Sequence, residues 1–409
     1  MPSIYNIGIK FYYLFILFAS FFNDKAKKWI DGRKDWKEKF KNSEITSSIW
    51  FHFASLGEFE QGKPLLEAVR SQYPQQKIVI TFFSPSGYEI RKNSPLGDYI
   101  LYLPLDTPKN TNDFIRIFKP SLVFFNKYEY WYHFFKALNQ YQIPLYVTSA
   151  IFRPQQIFFK FYGSFNRQIL SYVTHFFTQN KESDDLLSSI GLHNYTLCGD
   201  TRFDSVNNLA QKVKELPFVK AFKNESKLLI AGSTWPDDEK LLAQWFINQQ
   251  DDWKILFAPH EIKPEKIKAL QNLFDDGRVI KHSEIADLDS LKNFKILVID
   301  NIGMLSSLYP YGEIAYIGGG FGAGIHNTLE AATWGLPIIF GPNYQKFQEA
   351  KDLIKHEAGF SIKNQEELNA VLAKLTQDEI YCANSGKKAQ AYVKENIGAT
   401  ALIMKKVFG

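Results

Sequence analysis

The stretch "IGGGFGAGIHNTLEAATWGLPIIFGPNYQKFQEA", residues 317–350, reads as a strand end, a glycine loop, a helix, a strand and a further loop and helix. Gly318, Gly319 and Gly320 end a strand and let backbone approach a ligand, and Gly322 and Gly324 continue that permissive loop. "HNTLEAATWG" starts a helix with Asn327 at or near its cap. Backbone N–H groups at a helix start attract phosphate. Glu330, one turn in, can accept hydrogen bonds from a ribose, with Gly320 and His326 in support. The bland alternative is a tight strand–loop–helix turn with an ordinary cap. His, Asn and Glu at short spacing, followed by a second Gly-Pro turn, argue for a ligand instead. The stretch lacks the Lys-Ser/Thr of a P-loop and the GxGxxG spacing of the dinucleotide fingerprint.

Outward from this loop, short β-rich runs alternate with helical patterns. In the second half the strands are 227–233, 253–260, 294–300, 313–320 and 337–342. In the first half they are 47–54, 77–83, 99–105, 121–127, 144–150, 174–180 and 195–200, with helices such as 60–72 and 110–119 between them. Apolar runs separated by helical periodicity predict parallel sheets covered on both faces. Residues 205–226 are polar, contain no strand and read as a linker. The expected fold is α/β with two Rossmann-like, doubly wound domains, 43–204 and 227–409, the last helix being able to cross back. Two such domains on one chain usually bind a ligand in the cleft between them.

Composition narrows the function. The 409 residues carry a formal charge of +5, too weak alone to indicate nucleic acid. Two cysteines, Cys198 and Cys382, form no paired spacing, so a reducing compartment is expected. Eight histidines form no HExxH-like cluster, so no metal is expected. Aromatic content is 16%, which suits either apolar partners or a Phe-rich core.

Residues 4–22, "IYNIGIKFYYLFILFASFF", contain one charge, Lys10, over nearly the length needed to cross hydrocarbon. The next segment, residues 23–42, has eight Lys/Arg against four acids. Such a flank stays on the cytoplasmic side. Residues 1–42 therefore read as a membrane anchor with a basic flank. Lys25, Lys28, Arg33 and Lys34 are candidates to attract anionic lipid phosphates. A helix lying on the bilayer is the second reading, because Lys10, Asn6 and the tyrosines interrupt the run. A cleaved signal is the third, against which stand the missing charged start and cleavage site.

"HNTLEAATWGLPIIFGP" resembles the "GGHNPLEPAAFGVPVLFGP" stretch of bacterial transferases of 3-deoxy-D-manno-octulosonic acid (Kdo). "WFHFASLGE" (50–58) is similar to that family's "W-x-H-x-x-S-V-G-E", and "TFFSPSGYE" (81–89) to "TTxTPTGxE". "YLPLD" (102–106), "EYW" (129–131), "GDTRFD" (199–204) and "AGSTWPDDE" (231–239) resemble "YLPxD", "ELW", "GSxKFD" and "AxSTHxGEE". The resemblance implies a GT-B glycosyltransferase at the inner membrane, its domains on the cytoplasmic face. Such enzymes move Kdo from CMP-Kdo to a lipid A precursor with inversion and without a metal or other cofactor. The alternatives weighed are another GT-B transferase, a UDP-sugar epimerase, and a non-catalytic nucleotide- or lipid-binding membrane protein.

By that resemblance Glu58 is the base that takes the acceptor hydroxyl's proton, with Gly57 allowing the turn that aims it. Ser55, Ser84 and Glu129 lie on the acceptor side. Arg202, Ser233, Thr234, His260, Gly320, His326, Asn327 and Glu330 are expected to bind the donor. Glu60 is read as an ordinary helix-start acid. The chain departs from the family pattern at Lys127, where the family has an acid, at Tyr132, where it has proline, and in lacking an arginine beside His260.

Overall fold

A computed structural model describes residues 2–211, 215–247, 253–274 and 277–409. The chain forms two compact units, Met1–Ser205 with Gly398–Gly409, and Val206–Ile397.

In the first unit seven parallel strands form one sheet. They are β1 (Ser48–Phe53), β2 (Lys77–Phe82), β3 (Tyr99–Tyr102), β4 (Pro120–Asn126), β5 (Leu145–Ala150), β6 (His175–Thr178) and β7 (Tyr195–Leu197). Their spatial order is β3-β2-β1-β4-β5-β6-β7, so the winding reverses between β1 and β4. Side chains alternate along a strand. Phe51 and Phe53 therefore join Phe59, Phe82, Phe124 and Ile403 in a cluster on one face. Trp50 joins Phe114, Phe118, Phe125 and Phe134 on the other. Much of the aromatic content is thus core, and each fully buried ring contributes roughly 1.5–3 kcal/mol. The helix Leu56–Gln72 follows β1 directly and carries Glu58. It packs tightly there, since a Cβ on Gly62 would lie 2.4 Å from the Phe53 ring.

The second unit repeats the plan. Its strands are β8 (Lys227–Thr234), β9 (Trp253–Pro259), β10 (Val279–Lys281), β11 (Ile296–Val298), β12 (Ile314–Ile317), β13 (Ile338–Phe340) and β14 (Gly359–Ser361). The order β10-β11-β9-β8-β12-β13-β14 reverses between β8 and β12. Every strand expected from the sequence is present. The pattern missed β10 and β14, three-residue edge strands whose sequences, VIK and GFS, are too short to show a period.

One segment differs from the sequence expectation, and the last helix crosses back as the sequence allowed. The stretch 205–226 is not a bare linker. Its helix Pro217–Lys223 buries Val219 and Phe222 in the second unit, and Lys223 Nζ donates to Tyr311 O at 2.7 Å. Lys212, Val213 and Lys214 of that stretch lie outside the described residues. The last helix, Ala399–Phe408, belongs to the first unit, where Asp204 accepts from the backbone N–H groups of Gly398 and Thr400 at 2.7 Å each.

Among the described residues one helix, Pro2–Ala19, is long and apolar enough to cross a membrane. One side of it packs on the first unit. Tyr5 donates to Asp106 Oδ2 at 2.6 Å, and Asn6 Oδ1 lies 2.5 Å from His133 Nε2. Tyr12 meets Trp29 and Phe83. Tyr5, Asn6 and Tyr12, which interrupt the apolar run, therefore dock, whereas Lys10 and Tyr13 are exposed. Arg33 is corrected as a lipid-phosphate candidate. Its guanidinium donates to Leu103 O, Trp29 O and Phe83 O at 2.8–3.0 Å and stacks 3.7 Å from the Trp29 ring centre.

Candidate functional site

In open parallel sheets, ligands collect outside the carboxyl ends of strands where the winding reverses. Each unit places its candidate residues there.

In the first unit the turn after β1 holds Ser55, the first turn of the helix Leu56–Gln72 holds Gly57 and Glu58, and the turn after β4 holds Lys127 and Glu129. Ser55 is the N-cap of Leu56–Gln72, its Oγ accepting a long 3.5 Å bond from Glu58 N. Glu58 turns back so that its Oε2 accepts from Ala54 N at 2.7 Å. Its Oε1 takes no hydrogen bond from any described residue. Glu58 is only 9% exposed. Burial raises its carboxyl to about 7, helped by the Glu129 charge and opposed by the Ala54 N–H and by Lys127. At a helix start the dipole favours the anion; here desolvation outweighs it. One oxygen is fixed and the other is open, on a group near neutrality, which is the arrangement a general base needs.

Gly57 does not act as expected. It lies inside the helix, and a Cβ there would meet only Ser55 Oγ, at 4.0 Å. No glycine-only turn is required, because the N-cap geometry of Ser55 already aims Glu58. Ser84 caps the neighbouring helix Pro85–Arg91, accepting from Ser86 N at 3.3 Å. Glu60 pairs with Arg91 at 2.6 Å, away from Glu58's bonds.

Glu129 is held in place. Its Oε2 lies 2.5 Å from His52 Nε2 and accepts from Trp131 Nε1 at 3.1 Å. His52 is fully buried, with Nδ1 2.8 Å from Thr81 Oγ1, which also accepts from Trp50 Nε1. A proton on His52 Nε2, donated to Glu129, completes these bonds.

Beneath Glu58 runs a polar network that the sequence reading missed. Asn126 Nδ2 donates to Glu58 O at 3.1 Å and to Gln61 Oε1 at 3.3 Å. Gln61 Nε2 donates to Asp200 Oδ1 at 2.7 Å. Asp200 also takes Arg202 N at 2.9 Å and Arg202 Nε at 2.8 Å. Burial alone would raise the Asp200 carboxyl, but Arg202, Gln61 and Lys127 hold it below its ordinary value. Arg202 thus belongs to the first unit, whereas the other residues expected to bind the donor belong to the second.

In the second unit the end of β8 and the residues that follow it, Ser233–Trp235, face the glycine loop after β12. Together they line a pocket of about 320 Å³ with Trp235, Asp238, Gly319, Phe321, Gly324 and His326. Asp238 fixes the loop by accepting from Gly319 N at 2.9 Å, Trp235 N at 2.9 Å and Tyr316 Oη at 2.8 Å. Gly320 has a packing role, since a Cβ on it would lie 2.6 Å from Gly341 backbone. The His260 ring stacks against both Trp235 and His326, with centroids 4.7 and 4.4 Å away. Trp235 Nε1 donates to His326 Nε2 at 3.2 Å. Burial, with the neighbouring His260, lowers the His326 imidazole to about 4. It is neutral at pH 7, as an acceptor from the indole must be.

Two donor-side expectations change. Thr234 is fully buried and its hydroxyl donates to Glu239 at 3.0 Å, so it is not available to a phosphate. Ser233 keeps its place at the strand end, in a left-handed conformation (φ 53°). The helix after the glycine loop spans only Leu329–Thr333, with Thr328 as its N-cap residue. Asn327 still satisfies its start, accepting from Leu329 N at 3.0 Å and donating Nδ2 to Glu330 Oε1 at 3.0 Å.

Residues 34–205 match the family model described as 3-Deoxy-D-manno-octulosonic-acid transferase (kdotransferase). Curated relatives extend the likeness along the chain. The 3-deoxy-D-manno-octulosonic acid transferase of Aquifex aeolicus is 28% identical over 346 residues, covering 83% of this chain and 88% of that protein. That of Chlamydia muridarum is 27% identical, covering 85% and 80%. Along most of its length the chain is thus similar to Kdo transferases. Kdo transferases are glycosyltransferases, and the segment matched by the family model holds Glu58, Glu129 and Arg202. Solved structures give the same fold at lower identity. UDP-GlcNAc 2-epimerase from Neisseria meningitidis, bound to UDP-GlcNAc, superposes with a TM-score of 0.61 at 15% identity, covering 88% of this chain and 99% of that one. MurG from Acinetobacter baumannii gives 0.56 at 13%, covering 88% and 99%.

Proposed function

We propose that the protein transfers Kdo from CMP-Kdo to a lipid A precursor, with inversion and without a resident metal, at the cytoplasmic face of the inner membrane. The observation that carries this reading is Glu58, a buried carboxyl raised to about 7 with one oxygen fixed and one open. An acceptor hydroxyl attacks the anomeric carbon as CMP leaves, and Glu58 takes the hydroxyl's proton. A base near neutrality suits a transition state in which the proton leaves late. The leaving phosphate needs fixed donors. The glycine loop, Ser233 and Asn327 supply them in the second unit, with the His260–His326 stack beside them. Helix Pro2–Ala19 supports an acceptor delivered from a membrane. Its Tyr12 packs on Phe83, Phe83 packs on Trp131, and Trp131 bonds to Glu129 next to Glu58.

The test is CMP release from CMP-Kdo in the presence of a tetraacylated lipid A precursor and EDTA, with UDP-sugars offered separately. Acceptor-dependent CMP release is expected, and turnover of UDP-sugars alone would overturn the reading.

Two variants probe its parts. Lys127 holds the Glu58 carboxyl down, so Lys127→Ala raises that pKa further. The low-pH limb of kcat/KM then moves to higher pH; a limb that stays put would remove Glu58 from the rate profile. Asn327→Ala frees Leu329 N and removes the Asn327 bond to Glu330. It is expected to weaken CMP-Kdo binding about tenfold, the loss of one or two hydrogen bonds, as read by calorimetry with the acceptor absent.

A further inference from the structure

The first unit carries a second apolar projection beside the N-terminal helix. After β5 the chain forms a short helical turn, Ile157–Phe159, and then a loop to the helix Ser164–Leu170. Phe161 is 94% exposed, more than any other described large apolar residue; Tyr162 is 58% and Ile157 42% exposed. This exposure is built into the loop. Arg167 Nη1 donates to Phe158 O at 3.0 Å and to Lys160 O at 2.7 Å, closing the loop from below. Gly163 seals its end, where a Cβ would meet Ile157 O at 1.9 Å. Holding two aromatic rings in water costs free energy, and a rigid loop cannot hide them.

The loop adjoins the N-terminal helix. Phe165, four residues past Phe161, lies 5.8 Å from Tyr5 and 4.9 Å from Tyr132, ring centre to ring centre. On that helix Ile4, Ile7, Phe11, Leu14, Phe15 and Phe18 are exposed. The charge around the loop has one sign. From Tyr130 to Lys181 the sequence contains no Asp or Glu, while Lys136, Arg153, Lys160, Arg167 and Lys181 are cationic. An exposed apolar tip in a stretch whose charges are all cationic suits an anionic bilayer, with rings below the headgroups and ammonium groups at the phosphates.

We infer that the loop 157–162 inserts Phe161 and Tyr162 into the same anionic bilayer leaflet that takes the N-terminal helix, making a two-element membrane contact. The inference rests on the membrane location proposed above, and the test separates the two. In the full-length protein with Cys198→Ser and Cys382→Ser, a nitroxide is placed at Phe161→Cys, Phe15→Cys or Ile302→Cys. Ile302, exposed in the second unit, is the water reference. With phosphatidylethanolamine–phosphatidylglycerol vesicles, collisions with a water-soluble nickel chelate are expected to fall at 161 and 15 and to stay unchanged at 302. Shielding at 15 alone overturns the loop inference and leaves the membrane location standing. Shielding at neither position overturns both. Shielding at 161 without vesicles, growing with protein concentration, means a second copy covers the loop and also overturns it. As a second readout, Phe161→Ser with Tyr162→Ser is expected to weaken vesicle partitioning by about tenfold or more, the cost of two rings left in water. Unchanged partitioning counts against insertion.

Discussion

Glu58→Gln lowers turnover about a thousandfold, within the range expected for removing a general base, and leaves CMP-Kdo binding unchanged. The amide keeps the shape, and its oxygen can still accept from Ala54 N. It cannot take a proton from the acceptor. In the wild type, kcat/KM rises with pH and levels off above about 7, where the Glu58 carboxyl is ionised. The same shift has an opposite consequence for stability. A carboxyl at 4.5 in the unfolded chain and about 7 in the folded one binds more protons when folded between those values. Stability contributed at this site therefore falls as pH rises from about 4.5 to 7. Above pH 7 the penalty approaches about 3 kcal/mol. Glu58→Gln removes the ionisation, so its melting temperature exceeds the wild type's at pH 8 and matches it near pH 4.5. A variant that loses activity and also melts lower at pH 8 would make Glu58 a structural residue.

Asp106→Ala destabilises the first unit by about 3 kcal/mol, or a fall of roughly 6–12 °C in melting temperature. Asp106 is fully buried and accepts from His133 N and Phe134 N at 3.0 Å each, so a loop after β3 caps the start of the helix Tyr132–Gln140. It also accepts from Tyr5 Oη, tying the N-terminal helix to the same point. Removing it leaves two buried N–H groups without partners and unlatches that helix. Burial raises the Asp106 carboxyl to about 6, despite the three donors around it. Asp106→Asn keeps an acceptor and is expected to recover about half of the loss. A melting temperature within 1–2 °C of wild type for Asp106→Ala, less than about 1 kcal/mol, would show that solvent replaces all three bonds.

Much of the architecture is legible in the sequence because its signals are local. Twelve of the fourteen strands announce themselves as apolar runs between helical stretches. The loops after β1 and β12 stand out because a cap residue, glycines and acids crowd into a few positions. What stays hidden depends on partners far apart in the chain. Tyr5 and Asp106 are 101 residues apart, and Gln61 and Asp200 are 139 apart. Asp106 is visible as the end of "YLPLD", but its capping role requires knowing that Tyr132–Gln140 begins beside it. Nothing in the sequence singles out Trp235; only the fold stacks it on His260 and bonds it to His326. Thr234 shows the converse failure, since a hydroxyl at a strand end suggested phosphate and the fold gives it to Glu239. Arg33, read as a lipid contact, is drawn inward by three backbone carbonyls.

The most direct measurement is the mass of the lipid product after incubating purified protein with CMP-Kdo and a tetraacylated lipid A precursor. Kdo transfer predicts an acceptor heavier by a whole number of Kdo residues, absent with Glu58→Gln. An unmodified acceptor beside an intact donor, or a Glu58→Gln product formed at the wild-type rate, would contradict it.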